Sequence, residues 1–190
     1  MDKQYNPEGF IPKHGGYEKL ITYKKSEIIY DGTYHFTKKY FQPFDRTIDQ
    51  MVQAARSGKQ NIIEGSMASG TSKEMEIKLT NVARASLEEL SADYKDFLRV
   101  RKLKQWDKNH EYYASLTKLL IKQDANYQTY QKGIESSDPE VAANVMIGLI
   151  NLTSYLLSRQ IRTLEKEFLN AGGLRERMSQ ARIDIRKNQK

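Results

Sequence analysis

Cysteine is absent from the 190 residues, which removes disulfide staples, thiolate metal ligands and thiol nucleophiles at once. The absence suits a reducing compartment and is permissive only. No run approaches the roughly 18 consecutive apolar residues of a membrane span, and residues 1–12 carry no stretch of signal-peptide type. A cytoplasmic protein without a membrane partner is the expectation. Histidine is scarce: His14, His35 and His110 are far apart, and none forms a zinc-type pair at helical spacing. A phosphate-cradling Walker loop is also missing. Ahead of Gly58-Lys59 the first glycine position holds Gln53 and the residue after the lysine is Gln60, while Gly65 and Gly70 are followed by Thr71 where lysine belongs. The neighbouring carboxylates Glu88 and Glu89 point about 100° apart on a helix and make no ready acid/base couple. The expectation is a protein with no catalytic residues, no metal and no cofactor.

What the chain has is positive charge and helical periodicity. Its formal net charge is +7 with a pI near 9.4. In residues 171–190, Arg175, Arg177, Arg182, Arg186, Lys187 and Lys190 stand against Glu176 and Asp184, a net +4 and more than half of the excess. Such a tail is a handle for phosphates or a solubilising terminus. Residues 1–16 contain Pro7 and Pro12 and read as an irregular arm ordered only by docking.

From Tyr17, the residues Leu20, Ile21, Ile28, Ile29, Phe36 and Tyr40 follow a helical repeat that ends before Pro43, with Gly32 as an interruption costing about 1 kcal/mol. Asp45 is a good N-cap, and Ile48, Met51, Val52, Ala55, Ile62 and Ile63 mark the inner face of a second helix, expected to stop at Gly65. After the breaker cluster 65–70, Thr71 and Glu74 have capping-box spacing. The third helix then repeats through Met75, Leu79, Val82, Ala83, Leu87, Leu90, Tyr94, Phe97 and Leu98. Beyond Arg101 the pattern weakens, and it resumes in a short extra helical stretch with Tyr113, Leu116, Leu119, Leu120 and Tyr127. Asp138 followed by Pro139 opens a last long helix to about Asn170, terminated by Gly172 and Gly173.

The implied fold class is all-α: an up-and-down four-helix bundle over residues 17–170, with an extra helical segment before the last long helix and a short, basic C-terminal extension over 171–190. The last helix is apolar on more than one side, through Val141, Val145, Met146, Leu149, Ile150, Leu152, Leu156 and Leu157 among others. Either it is central in a monomer or a homo-oligomeric contact covers it.

Three groups of residues are candidates for function. Asn61 and Glu64, with Ser86 and Glu89 opposite, suit a polar network between the second and third helices or a ligand or interface role. Lys95, Arg99, Arg101, Lys102, Lys104 and Lys108, interleaved with Tyr94 and Trp106, form one basic cluster. Arg159, Arg162 and Lys166 continue the basic tail upstream as another. Cations with aromatics grip phosphates and stack on unpaired bases, and they serve equally as a solvated helix end. The turn 66–72 can hold an anion at the start of the third helix or be an ordinary capped turn.

The run Asp49-Gln50-Met51-Val52-Gln53-Ala54-Ala55-Arg56-Ser57-Gly58, continuing through Gln60-Asn61-Ile62-Ile63-Glu64-Gly65-Ser66, resembles the four-helix-bundle family of proteins encoded in intervening sequences of bacterial 23S ribosomal RNA genes. Thr71-Ser72-Lys73-Glu74 and Leu79-Thr80-Asn81-Val82-Ala83-Arg84-Ala85-Ser86-Leu87-Glu88-Glu89-Leu90 continue the likeness. The tail Gly172-Gly173-Leu174-Arg175-Glu176-Arg177-Met178, with Arg182, resembles the suffix of a subset of that family. The chain differs in having Lys59-Gln60 where many members place Pro-Ser, and in its extra segment after Trp106. The resemblance implies an up-and-down four-helix bundle, usually a ring-like homopentamer, with no assigned enzymatic activity. Related members are accessory proteins of diversity-generating retroelements that bind nucleic acid and a reverse transcriptase through a basic surface. The expected role is therefore a non-catalytic homo-oligomer binding RNA or DNA through its basic surfaces. The alternative is a protein-interaction scaffold or accessory subunit that does not touch nucleic acid.

Overall fold

A computed structural model of the chain describes residue 11 and residues 14–122, 125–171 and 173–188, excluding the side chains of Ala171, Arg177 and Asn188. Most of the expected arm over 1–16 lies outside the described residues. Where the arm is described, the Gly15 amide donates to the Ser66 carbonyl at 3.2 Å, which docks it on the second helix.

Among the described residues there are seven α-helices and no strand: α1 (Ile21–Tyr40), α2 (Arg46–Ala68), α3 (Lys73–Val100), α4 (Tyr113–Leu120), α5 (Tyr127–Ile134), α6 (Pro139–Ala171) and α7 (Leu174–Asn188). The long helices α1, α2, α3 and α6 pack as a closed ring of neighbours, α1 on α2, α2 on α3, α3 on α6 and α6 on α1. Lys73 reaches Glu167 while the Trp106 amide reaches Asn144, so α6 runs antiparallel to α3. The Thr22 to Gln160 hydrogen bond sets α6 antiparallel to α1 as well, and the bundle is up-and-down.

Local chemistry explains most helix ends. Asp45 caps α2, its carboxylate accepting from the Thr47 amide at 2.9 Å. Asp138 accepts from the Glu140 amide at 2.8 Å, and Pro139 takes the first position of α6, where a missing N–H is harmless. Four boundaries differ from the sequence expectation. Tyr17–Lys19 is a separate 3-10 turn, and the chain straightens at Leu20 before α1 begins. α2 continues through Gly65 to Ala68, and Gly65 is buried in packing contact with Glu76, Leu79 and Thr80 of α3. Ser72, not Thr71, caps α3 by accepting from the Met75 amide at 3.1 Å. The extra helical stretch is two helices, α4 and α5, the second opened by an Asn126–Thr129 capping box.

The core is built across the bundle's centre. Phe36 of α1 is fully buried and meets Tyr94 and Phe97 of α3 with ring centroids 4.7 Å away in each case. Tyr94 closes the contact by donating to Thr33 Oγ1 at 3.1 Å. Gly32, at the middle of α1, is a contact point: a Cβ there would fall 2.7 Å from Met146 Sδ of α6. The apolar circumference of α6 is covered within the chain over its first half. α1 and α3 lie on one side and α4 and α5 on the other, leaving Ala142, Met146, Leu149 and Ile150 fully buried. By length and composition α6 would pass as a membrane span, yet 56% of that window is buried against the other helices. Its hydrophobicity therefore needs no second copy to explain it.

Lys25 is an unusual member of the interior. Its side chain is buried and its Nζ donates to the Tyr130 hydroxyl at 3.2 Å, which donates onward to the Leu119 carbonyl. Burial lowers its pKa from 10.5. Between that lowered value and 10.5 the unfolded chain holds a proton that the folded chain has released, so stability should rise with pH through that window. Tyr23 and Tyr127, pushed up to about 12 by burial and then by Glu27 and Glu135, oppose this only above pH 10, where unfolded tyrosines ionise. Urea midpoints taken from neutral pH to just below pH 10 should rise more steeply for the natural chain than for Lys25→Met. Equal slopes would contradict this placement of Lys25.

Candidate nucleic-acid interface

The two basic clusters sit at opposite ends of the bundle. The first gathers where α3 ends. Lys95, Arg99, Arg101, Lys102, Lys104 and Lys108 are all exposed there. Arg99 is engaged by Asp96 at 2.9 Å. Arg101 has its guanidinium carbon 3.9 Å from the Phe97 ring centroid and donates to the Tyr40 carbonyl, so it belongs partly to the bundle's end cap.

Lys102 closes α3 in a left-handed conformation with φ of 56°. The Leu103 amide bonds the Leu98 carbonyl at 2.9 Å and the Lys102 amide bonds the Arg99 carbonyl at 3.1 Å. That pairing is a Schellman motif, in which the left-handed position is usually glycine. A lysine there carries a strain of about 1–2 kcal/mol, offset partly by the extra freedom glycine has when unfolded. Lys102→Gly should therefore raise stability by about 0.5–1 kcal/mol in urea titration. A loss of stability would show that the lysine side chain serves the fold instead.

The following loop is clamped onto α6. Asn144 is 4% exposed and donates to the Lys104 and Glu140 carbonyls at 2.9 and 2.8 Å, while its oxygen accepts from the Trp106 amide at 2.8 Å. Glu140 accepts from the Lys104 amide and from Trp106 Nε1 at 2.9 and 3.1 Å, and these bonds hold its carboxyl below the usual range. Trp106 is stacked on His110 with centroids 4.6 Å apart and planes 10° apart, and Tyr112 leans on both rings. The aromatic expected beside the cations is thus present in Trp106, already paired within the chain. Tyr94 is a correction: at 0% exposure it is core, with no ring face for a base.

The second cluster begins on the far half of α6, where Arg159, Arg162 and Lys166 are exposed, and continues into α7. On α7, Arg175, Arg182 and Arg186 fall at seven- and four-residue separations and form one stripe, flanked by Met178 and Ile183 and lining a shallow cleft. Lys187 is exposed, and the Arg177 side chain lies outside the described residues, as does Lys190. Among the described residues α7 makes no substantial packing contact with any other helix. Its root lies by the start of α3, since Glu74 is held below the usual carboxyl range by Lys78 and also by Arg175. From there to Arg99 is about 25 residues of helix, roughly 37 Å, so one chain does not join its two clusters.

The expected inter-helix polar network is reduced to part of itself. Asn61 donates to the Ser57 carbonyl at 2.8 Å and to Ser57 Oγ at 3.2 Å, and Ser57 Oγ meets Ser86 Oγ at 3.0 Å across to α3. Ser57, one turn before Asn61, is the link that sequence reading missed. Glu64 and Glu89 lie outside the network, exposed on the surface, where water solvates their carboxylates at no cost in burial. In the turn 66–72, Ser69 and Thr71 donate to the Ser66 and Ala68 carbonyls and Ser72 caps α3, so its side chains satisfy their own backbone. Among the described residues no three His, Cys, Asp or Glu side chains converge as a metal site requires.

Comparison with protein-family models, with curated proteins and with solved structures gives no match to this chain.

Proposed function

We propose that the chain is a non-catalytic, homo-oligomeric bundle that binds RNA or DNA through its basic surfaces, with the arginine stripe of α7 as the principal contact. The observation that carries this reading is a 15-residue helix that leaves the bundle while presenting Arg175, Arg182 and Arg186 together. Helices of that length are marginal in water unless something packs on them. The charge of the stripe favours a polyanion, and phosphate backbones release counterions when such cations engage them. The cations of 95–108 extend the contact at the bundle's other end, and Trp106, His110 and Tyr112 supply aromatic surface beside them. The likeness to the ribosomal intervening-sequence proteins supports the same role, a ring of copies and a cytoplasmic, bacterial setting.

Deleting residues 172–190 should abolish retention of a mixed RNA and DNA pool at about 50 mM salt. Unchanged retention would refute the reading. A scaffold that contacts only protein is the competing reading, favoured by Met178, Ile183 and Ile185, which are 41–45% exposed. It expects the full-length chain to leave the pool free at that salt.

A further inference from the structure

α4 crosses α6 at Gly148, where side-chain carbons of Leu116 and Leu120 lie 3.1 Å from the place a Cβ would take. α4 ends at Leu120, so its cover stops there. With about 100° of turn per residue, Tyr155, Arg159 and Lys166 return to within about 20° of the Gly148 face, and Arg162 to within about 40°. They form one line along the far half of α6, and all four are exposed.

Tyr155 is 59% exposed, and among the described residues its ring meets no other ring or cation and its hydroxyl has no hydrogen-bond partner. Among the described residues the three cations have no carboxylate partner either. The acids of this half of α6 lie aside from the line: Glu167 is turned to Lys73 of α3 at 3.0 Å, and Glu165 stands about 100° from the Gly148 face. The bundle itself therefore uses neither the ring nor the charges.

A row of unpaired cations suits phosphates, whether the nucleic acid is single- or double-stranded. The tyrosine separates the two. In a duplex each base face is covered by its neighbours, so an outward aromatic ring finds a surface to stack on only in an unpaired strand. We propose that this line is a track for single-stranded nucleic acid, in which Tyr155 stacks on one base while Arg159, Arg162 and Lys166 hold the phosphates that follow. The track leads along α6 toward the arginine stripe of α7. It rests on the reading that α7 contacts nucleic acid, and narrows the ligand from any polyanion to an unpaired strand.

The test uses the full-length chain and three labelled probes of about 16 nucleotides, oligouridine, oligothymidine and a mixed-sequence DNA duplex, with anisotropy read across salt. The better-bound single strand, which tells RNA from DNA as the source, should exceed the duplex about tenfold. Tyr155→Ala should weaken that strand about tenfold with no change of salt slope, because a stacked ring releases no counterion, and should leave the duplex alone. Arg159→Gln should instead lower the slope by about 0.7. Tyr155→Phe keeps the ring and should bind as the natural chain does. Irradiation of a complex with 5-iodouridine strands should attach the strand at Tyr155, mapped by mass spectrometry. If the natural chain binds but Tyr155→Ala costs nothing, or costs the duplex equally, the track is overturned while the α7 reading stands. A changed sedimentation mass for Tyr155→Ala would assign the ring to a contact between copies and overturn the track as well. Binding to none of the three probes would overturn both.

Discussion

Phe36→Ala should cost about 3–5 kcal/mol of stability, a large share of what a domain of this kind possesses. The Phe36 ring is fully buried and touches four others: Tyr94, Phe97, Tyr40 and Phe41, at centroid distances of 4.7, 4.7, 4.9 and 6.2 Å. Those contacts join α1 to α3 across the bundle's diagonal, where neither backbone can move in to fill a void because α2 and α6 hold them apart. Removing the ring forfeits both the transfer of apolar surface and the contacts lining the cavity. Phe36→Leu, which keeps most of the volume, should cost less than about 1.5 kcal/mol. Guanidinium titration of the two variants measures the difference. A Phe36→Ala cost below about 1 kcal/mol would mean that this aromatic cluster does not organise the core.

Reversing the stripe of α7 with Arg175→Glu, Arg182→Glu and Arg186→Glu should have the largest effect on binding. Three phosphate contacts at roughly 0.7–0.9 of a counterion each correspond to about two to three units of logarithmic salt slope, or some 100- to 1000-fold in affinity near 0.1 M salt. Because the stripe is exposed and α7 has no substantial packing on the bundle, the same substitutions should leave the unfolding midpoint unchanged within error. Fluorescence anisotropy with a labelled oligonucleotide reads the first quantity, and thermal unfolding the second. Affinity that survives the triple variant would remove α7 from the interface.

Much of the bundle was legible because helical repeats are set by burial, and burial leaves a period of 3.6 residues in the sequence. Asp45 and the Asp138–Pro139 pair marked two helix starts for the same reason that they form them: side-chain acceptors and a missing donor suit a first turn. Gly65 misled because its helix cost is a local quantity. The close passage of α3 is a tertiary one, and it prevails. The apolar circumference of α6 left its cover open, and the cover came from Leu116 of α4 and from Tyr130 and Ile134 of α5. These weakly patterned segments gave little sign that they were two helices. The basic residues were plain as a list, but their division between two ends of the molecule follows from the antiparallel course of α3 and α6. Tyr94 shows the same limit from the other side. Flanked by Asp93 and Lys95 it looks like part of a charged surface, while the helical repeat turns it inward to Thr33.

The central claim, that an assembly of copies binds nucleic acid through α7, is tested most directly by measuring affinity for a mixed RNA and DNA pool against salt, with sedimentation mass taken on the same sample. If the six basic residues of 171–190 all meet phosphates, the logarithmic slope should approach about −4 to −5 per chain, carried by a species of several chains. A slope near zero, or a single 22.1 kDa species that binds as tightly without residues 172–190, would contradict it.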